Sequence, residues 1–245
     1  MSVLVIDAGN SRVKWMMGGS YGVLATSDAA QLGEALSAKP QRVLASNVAG
    51  ADVQAAITQA LVRHAVNIEW VRAKAAQCGV TSRYAAPAQL GSDRWCGLIA
   101  ARKRHAGAVL VVNAGTTMTA DALSGKGVFL GGVIVPGITL MCESLARGTA
   151  QLKRQAGEFE RFPDNTGDAI YSGAINACAG AVERMFRQLL AEAHQEPFIV
   201  LSGGAAPALL SALDTSATLN GRIEVVDNLV LEGLLEISRG DTRDC

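Results

Sequence analysis

Val3-Leu4-Val5-Ile6-Asp7-Ala8-Gly9-Asn10-Ser11 returns later in the chain as Val109-Leu110-Val111-Val112-Asn113-Ala114-Gly115-Thr116-Thr117. Each copy is an apolar, β-branched run that ends in an acidic or amide residue, a glycine and a hydroxyl-rich turn, which is typical of a buried strand. Two copies in matching register predict two related halves, 1–107 and 108–245. If the turns face each other, they can hold a nucleoside triphosphate in the cleft between the halves, with amides and hydroxyls on phosphate and a carboxylate on Mg²⁺.

The composition indicates a folded protein without a polyanionic partner. Hydrophobic residues make up 49% of the chain and charged residues 18%, and the 22 basic residues balance the 22 acidic ones. The densest basic cluster, residues 102–104, is typical of the solvated end of a helix, so we expect no nucleic-acid partner. No apolar run is long enough to span a membrane and a strand begins at the N-terminus, so we expect a cytoplasmic protein without membrane contact.

The supply of cysteine and histidine argues against a zinc site or a Ser-His-Asp triad. The five cysteines are odd in number and share no short spacing, and most lie in apolar stretches, which predicts reduced, buried thiols. His64, His105 and His194 lie far apart in the sequence.

The alternation of apolar and polar residues predicts the same order of elements in both halves. A meander of three strands comes first in each half and is followed by alternating helices and strands, which gives βββαβαβ. In the first half the predicted elements after the first strand are strands 13–17, 21–25, 42–46 and 67–71 and helices 29–38 and 52–65, the second begun by an Asp cap. In the second half they are strands 117–122, 127–135, 198–201 and 222–226 and helices 138–147, 168–193, 205–213 and 229–238.

Two motifs of the first half carry chemistry. The Asp7 carboxylate at a strand end can hold Mg²⁺, the turn after it offers amides to phosphate, and Lys14 offers positive charge, unless it is only a solvated hairpin lysine. Gly91-Ser92-Asp93-Arg94 opens a helix that runs to about residue 105. With Ser92 as N-cap, Asp93 lies in the first turn, where the helix dipole favours its ionised form; a capping role alone is the competing interpretation.

Glycine pairs mark two further candidate ligand positions in the second half. Gly131-Gly132 and Pro136-Gly137 frame a strand that leads into a helix, which can bring backbone close to a ligand or simply form a bulge and a turn. Ser202-Gly203-Gly204 follows a buried strand and is suited to the flat face of an adenine.

Together these motifs resemble those of the type III pantothenate kinases, the family that includes the Bvg accessory factor proteins. Residues 7–11 resemble the first phosphate motif of that family, residues 91–94 its Gly-x-Asp-Arg substrate motif, and residues 113–119 its second phosphate motif. Residues 131–145 and 165–173 also fit, so the resemblance covers the whole chain in order. It implies a duplicated ribonuclease-H-like fold of the α/β class, as in the superfamily of acetate and sugar kinases, Hsp70 and actin.

The resemblance also implies the reaction and the residues that carry it. The reaction is phosphorylation of pantothenate by ATP with Mg²⁺, the first step of coenzyme A biosynthesis, with Asp93 as general base on the primary hydroxyl. The residues implied to hold ATP, with Asp7 also near Mg²⁺, are Asp7, Ala8, Gly9, Asn10, Ser11, Arg12, Val13, Lys14 and Thr116. The residues implied to bind pantothenate are Tyr84, Gly91, Ser92, Asp93, Arg94 and Thr166, the last supplied by the partner subunit of a homodimer.

The chain departs from the family pattern at Asn113. The family usually has Asp there as a ligand for an activating K⁺ or NH₄⁺, and an amide oxygen can still coordinate a monovalent cation but brings no charge. Activation by a monovalent cation is therefore in doubt, while Asp7 leaves the Mg²⁺ role intact.

Two other functions remain open from the sequence. One is a different small-molecule kinase of the same superfamily, such as a sugar or acyl kinase, although those enzymes usually need more chain for the acceptor. The other is a non-enzymatic nucleotide-binding accessory factor, against which the presence of both Asp7 and Asp93 argues.

Overall fold

The computed structural model describes residues 2–149, 156–193, 195–213, 219 and 221–240. The chain forms two compact units. Of these described residues, those from 2 to 104 and from 228 to 240 form the first unit, and those between 105 and 227 form the second.

The elements of the described residues follow one another in a mixed α/β order. The strands are β1 (Val3–Ala8), β2 (Arg12–Met17), β3 (Ser20–Ala25), β4 (Arg42–Asn47), β5 (Ile68–Trp70), β6 (Ala76–Gln77), β7 (Val80–Ser82), β8 (Val109–Ala114), β9 (Thr117–Leu123), β10 (Val128–Pro136), β11 (Phe198–Ser202) and β12 (Ile223–Val225). The helices are α1 (Leu32–Ala35), α2 (Ala51–Leu61), α3 (Ser92–Arg104), α4 (Ile138–Gly148), α5 (Thr166–Glu192), α6 (Ala206–Leu213) and α7 (Leu229–Gly240).

The first unit is built on a five-stranded sheet in the order β3-β2-β1-β4-β5. Its central strand, β1, runs antiparallel to β2 and parallel to β4. Because side chains alternate along a strand, Leu4, Ile6 and Ala8 point to one face, where they join a core with residues of α1 and α2. Val5 and Asp7 point to the other face. That face of β1 therefore carries one buried apolar side chain and one carboxylate.

Helices α3 and α7 cover the second face of that sheet. Both pack on its strands, and they also pack closely on each other. The contact requires a glycine, since a Cβ added at Gly233 of α7 would overlap the carbonyl group of Cys96 in α3. The N-terminus of α3 is thereby held on the sheet, close to the end of β1.

The second unit repeats the same arrangement. Five of its strands lie in the order β10-β9-β8-β11-β12, with β8 antiparallel to β9 and parallel to β11, as β1 is to β2 and β4. Its core forms where α5 and α6 pack on this sheet, and it includes Leu110, Val112 and Phe186. The duplicated ribonuclease-H-like fold expected from the resemblance is therefore present.

The predicted elements are confirmed with local differences. The helix predicted over 29–38 is a 3-10 turn, Thr26–Gln31, followed by the four-residue α1, and the helix predicted from Asp52 begins one residue earlier, after Gly50 at φ 97°. The β6–β7 hairpin was not predicted.

The C-terminal helix differs most from the predicted halves. The prediction assigned residues 108–245 to the second half, whereas the structure places the described residues 228–240 in the first unit. The reason is the apolar face of α7, whose Leu231, Leu234 and Ile237 are buried in that unit. Among the described residues, no helix is long and apolar enough to span a membrane.

Candidate active site

Asp7 lies at the carboxyl end of β1, one residue before the strand ends. In the sheet it is opposite Lys14 of β2 on one side and Ser46 of β4 on the other. The parallel pairing of β1 with β4 places Asp7 and Ser46 on the same face, the one that α3 covers. The sheet thus presents an acid between a lysine and a buried hydroxyl.

The turn after β1 is short and closed by its own backbone. The Gly9 N–H donates to the Arg12 carbonyl at 3.0 Å, and the Thr26 hydroxyl donates to the Gly9 carbonyl at 2.7 Å. The residues between them, Asn10 and Ser11, are exposed at the tip. An exposed turn with hydroxyl and amide groups beside a lysine is suited to phosphate oxygens.

The second acid, Asp93, lies in the first turn of α3. Its Oδ1 accepts from the Arg94 backbone N–H at 2.8 Å. The same oxygen would be 2.6 Å from a Cβ added at Gly91, so a side chain at position 91 would displace the Asp93 carboxylate. Arg94 itself is 9% exposed, which is unusual for an arginine and keeps its charge close to the two acids.

The predicted cap of α3 is wrong in its detail. The helix begins at Ser92, and the Ser92 hydroxyl lies 2.8 Å from the Ser46 hydroxyl instead of capping the helix. Sequence reasoning missed Ser46, because it becomes significant only through the pairing of β4 with β1.

Burial raises the pKa of both acids, and the charge of Asp93 adds to the effect at Asp7. Burial, then the nearby Asp93 charge, raises the pKa of Asp7 to about 7, while Lys14 has a smaller lowering effect. Burial also raises the pKa of Asp93, against the lowering effects of the Arg94 N–H and guanidinium. The expectation that the helix dipole would dominate at Asp93 is therefore wrong, since desolvation outweighs it.

This pair of acids fits a divalent cation. Carboxylate oxygens are ligands that Mg²⁺ prefers, and a bound cation would relieve the repulsion that raises the pKa of Asp7. The described residues contain no group of three or more His, Cys, Asp or Glu residues suited to a metal.

The second unit has a related turn at the end of β8. The Gly115 N–H donates to the Thr117 carbonyl at 3.1 Å, which leaves Thr116 exposed at the tip. Two glycines pack against this turn: a Cβ at Gly137 would overlap the carbonyl groups of Gly115 and Thr116, and a Cβ at Gly203 would overlap that of Ala114. The predicted glycine motifs at 136–137 and 202–204 therefore meet at one turn.

The two halves differ in charge at equivalent positions. Asp7 pairs with Lys14 across β1 and β2, whereas Asn113 pairs with Thr119 across β8 and β9. An acid and a base in the first unit correspond to an amide and a hydroxyl in the second. Asn113 thus lies where the repeat predicts it, beside a neutral partner.

The predicted acceptor residues lie at two separate places. Gly91 to Arg94 lie at the start of α3, and Tyr84 is half-buried in the segment that leads to that helix. Thr166 is the exposed first residue of α5, in the second unit. There Thr166 lines a cavity of about 770 cubic ångströms between α4 and α5, together with Met141 and Ile170.

Comparison with known proteins first defines the class. The fold matches a Baf family protein from Campylobacter jejuni, with a TM-score of 0.61, 20% identity and coverage of 98% of this chain and 99% of that one. It also matches the activator of 2-hydroxyisocaproyl-CoA dehydratase from Clostridium difficile, solved with ADPNP, with a TM-score of 0.53, 11% identity and coverage of 100% and 97%. The chain is therefore a protein of the actin-like ATPase and sugar kinase fold, with a paired-carboxylate site.

Sequence comparison then defines the family. The model of the type III pantothenate kinases matches residues 3–188. A type III pantothenate kinase of Aromatoleum aromaticum is 48% identical, with 98% of each chain covered, and one of Nitrosospira multiformis is 44% identical, with 97% of this chain and 91% of the relative covered. The chain belongs to the type III pantothenate kinase family, and it is a phosphotransferase.

The substitution Asp7→Asn tests the electrostatics of the site. Because the pKa of Asp7 is raised from 3.8 to about 7, between those pH values the folded chain keeps a proton that the unfolded chain has released. The contribution of the Asp7 carboxyl to the free energy of unfolding therefore falls as the pH rises from 3.8 to about 7. We expect Asp7→Asn to raise the thermal midpoint at both pH 5 and pH 8, and by clearly more at pH 8. Glu34→Gln, on the exposed side of α1, is the control; a lower midpoint for Asp7→Asn at pH 8 would contradict the assignment.

Proposed function

We propose that this chain transfers the γ-phosphoryl group of ATP to the primary hydroxyl of pantothenate and forms 4'-phosphopantothenate, the first step of coenzyme A biosynthesis. The observation that carries this assignment is the pairing of Asp7 with Asp93 at the end of β1 and the start of α3. Membership of the type III pantothenate kinase family supplies the acceptor.

Asp93 acts as the general base in this proposal. A carboxylate whose pKa is raised by burial holds a proton more readily than an exposed one, so it can accept the hydroxyl proton as the oxygen attacks. The Arg94 N–H fixes one carboxylate oxygen and leaves the other available to the acceptor. In phosphoryl transfer the protein mainly positions the reactants and neutralises charge, so an orienting base is sufficient.

The two turns bind the phosphates of ATP. In the first unit the turn from Ala8 through Val13 and the Lys14 ammonium contact phosphate oxygens, and in the second unit Thr116 does so. Asp7 is the residue that would hold Mg²⁺, which when bound neutralises phosphate charge during transfer. At neutral pH the raised pKa of Asp7 leaves a large fraction protonated before a cation binds.

The acceptor is held by Tyr84, by Gly91 to Arg94 and by Thr166. The Arg94 guanidinium, whose charge acts on Asp93, is suited to oxygen atoms of pantothenate near its primary hydroxyl, because it cannot lose its proton. The Gly91 backbone lets the acceptor hydroxyl approach Asp93 closely. Thr166 reaches this acceptor from a second copy of the chain.

That role for Thr166 requires a homodimer. Helix α5 is long and apolar, but Ile175, Val182 and Phe186 on it are buried inside their own unit. These residues are therefore not available to a second copy of the chain. Support comes instead from the cavity between α4 and α5, which is lined by exposed Leu145 and by Met141 and Ile170. Exposed apolar side chains around a cavity are a surface that a second copy of the chain can cover.

The substitution Asp93→Asn tests the catalytic assignment. We expect turnover to fall by about 10²–10⁴-fold, because the amide cannot accept the hydroxyl proton. Binding of a non-hydrolysable ATP analogue, measured by calorimetry, should persist. Asp52→Asn is a matched control, since Asp52 is likewise the second residue of its helix but is exposed on α2. If Asp93→Asn has near wild-type turnover, Asp93 is not the general base and its role is structural.

Light scattering tests the dimer. We expect the chain at micromolar concentration to have twice the mass of one subunit, and Leu145→Glu to yield monomers with much weaker activity. Val62→Glu, at a residue 58% exposed in the first unit, should stay dimeric. A fully active monomer would rule out the contribution of Thr166 from a partner.

Asn113 generates a prediction about monovalent cations. A carboxylate at this position would attract K⁺ by roughly 4 kcal/mol at 4 Å and an effective dielectric of 20, before desolvation. The amide loses that attraction, and Thr119 opposite it supplies no charge. We therefore expect turnover in sodium or Tris buffer to be independent of added K⁺ or NH₄⁺, and Asn113→Asp to introduce activation. Strong activation of the unmodified chain at low millimolar K⁺ would refute this.

A further inference from the structure

Ser46 and Ser92 form a buried hydroxyl pair between the sheet and α3. Their oxygens are 2.8 Å apart, and their exposed fractions are 0% and 8%. Apart from the two acids, this face carries buried apolar residues, among them Leu44, Cys96 and Ile99, which are 1% exposed or less. A buried hydroxyl without a partner is costly, so each serine depends on the other.

The pair connects the elements that carry the two acids. Ser46 lies beside Asp7 in the parallel register of β1 and β4, and Ser92 immediately precedes Asp93. Apolar packing of α3 on the sheet has little directionality, whereas a hydrogen bond fixes both the distance and the direction between two atoms. The Ser46–Ser92 bond therefore fixes how far the start of α3, with Asp93, lies from the end of β1, with Asp7.

We infer that Ser46 is a positioning residue for phosphoryl transfer, which holds the Asp93 carboxylate at its working distance from Asp7 through the hydroxyl of Ser92. This inference rests on the proposed function for the reaction that it serves. Ser46 itself is fully buried beneath the helix and contacts neither ATP nor acceptor. Ser46 acts by fixing the position of the Asp93 carboxylate. A displacement of a catalytic group by about 1 Å can lower the rate by about 10²-fold.

A double-mutant comparison separates positioning from stability. Ser46→Ala leaves the Ser92 hydroxyl without this partner, so we expect both a lower thermal midpoint and a turnover lowered by about 10–100-fold. Ser46→Ala combined with Ser92→Ala removes both hydroxyls, so the midpoint should recover toward wild type while turnover stays low. Ser46→Thr keeps a hydroxyl and should retain most of the turnover. In each of these three variants the KM for ATP should stay within about twofold of the wild-type value.

Ser238→Ala is the control for loss of a buried hydroxyl in the same unit. Ser238 is 7% exposed and its hydroxyl donates to the Leu235 carbonyl within α7, with no connection to Asp93. We expect it to lower the thermal midpoint without lowering turnover. If Ser46→Ala behaves like Ser238→Ala, or if the double variant regains wild-type turnover together with its stability, the positioning role is overturned.

The wild-type chain separates a failure of the inference from a failure of the proposed function. A wild-type chain that binds ATP but releases no ADP with pantothenate counts against the proposed acceptor. A wild-type chain that turns over with pantothenate, together with a fully active double variant, counts against the positioning role of Ser46.

Discussion

Burial of the Asp7 carboxylate beside Asp93 is the constraint on which the rest of the site depends. Two acids on a strand and a helix come close only because the sheet and the packing of α3 hold them there. The cost is visible in the pKa of Asp7, which burial raises most and Asp93 raises second, against a smaller lowering effect of Lys14. Two neighbouring carboxylates attract a divalent cation, and they also attract a proton.

Duplication of one fold explains how the chain provides two related glycine turns. The sheets of the two units have the same strand order, and each has a glycine turn at the end of its central strand. The copies have diverged in electrostatics, since the first keeps an acid and a lysine where the second has Asn113 and Thr119. At these equivalent positions the first unit therefore has charged side chains and the second has neutral polar ones.

Much of the fold followed from local sequence, whereas the site depended on long-range register. The apolar runs at 3–6 and 109–112 predicted both central strands, because β-branched residues in a short run bounded by glycine have few alternatives. Ser46 could not be identified, since its importance arises from the pairing of β4 with β1 across some forty residues of chain. The ionisation of Asp93 was predicted in the wrong direction because burial is a property of the folded chain.

The most direct test of the account is ADP release by the purified chain with MgATP, measured with pantothenate, with a panel of sugars and without acceptor. The account predicts that ADP release requires pantothenate and is matched by an equal amount of a product heavier by one phosphoryl group in mass spectrometry. ADP release with a sugar, or at the same rate without acceptor, would contradict it, as would a chain that binds ATP and leaves pantothenate unchanged.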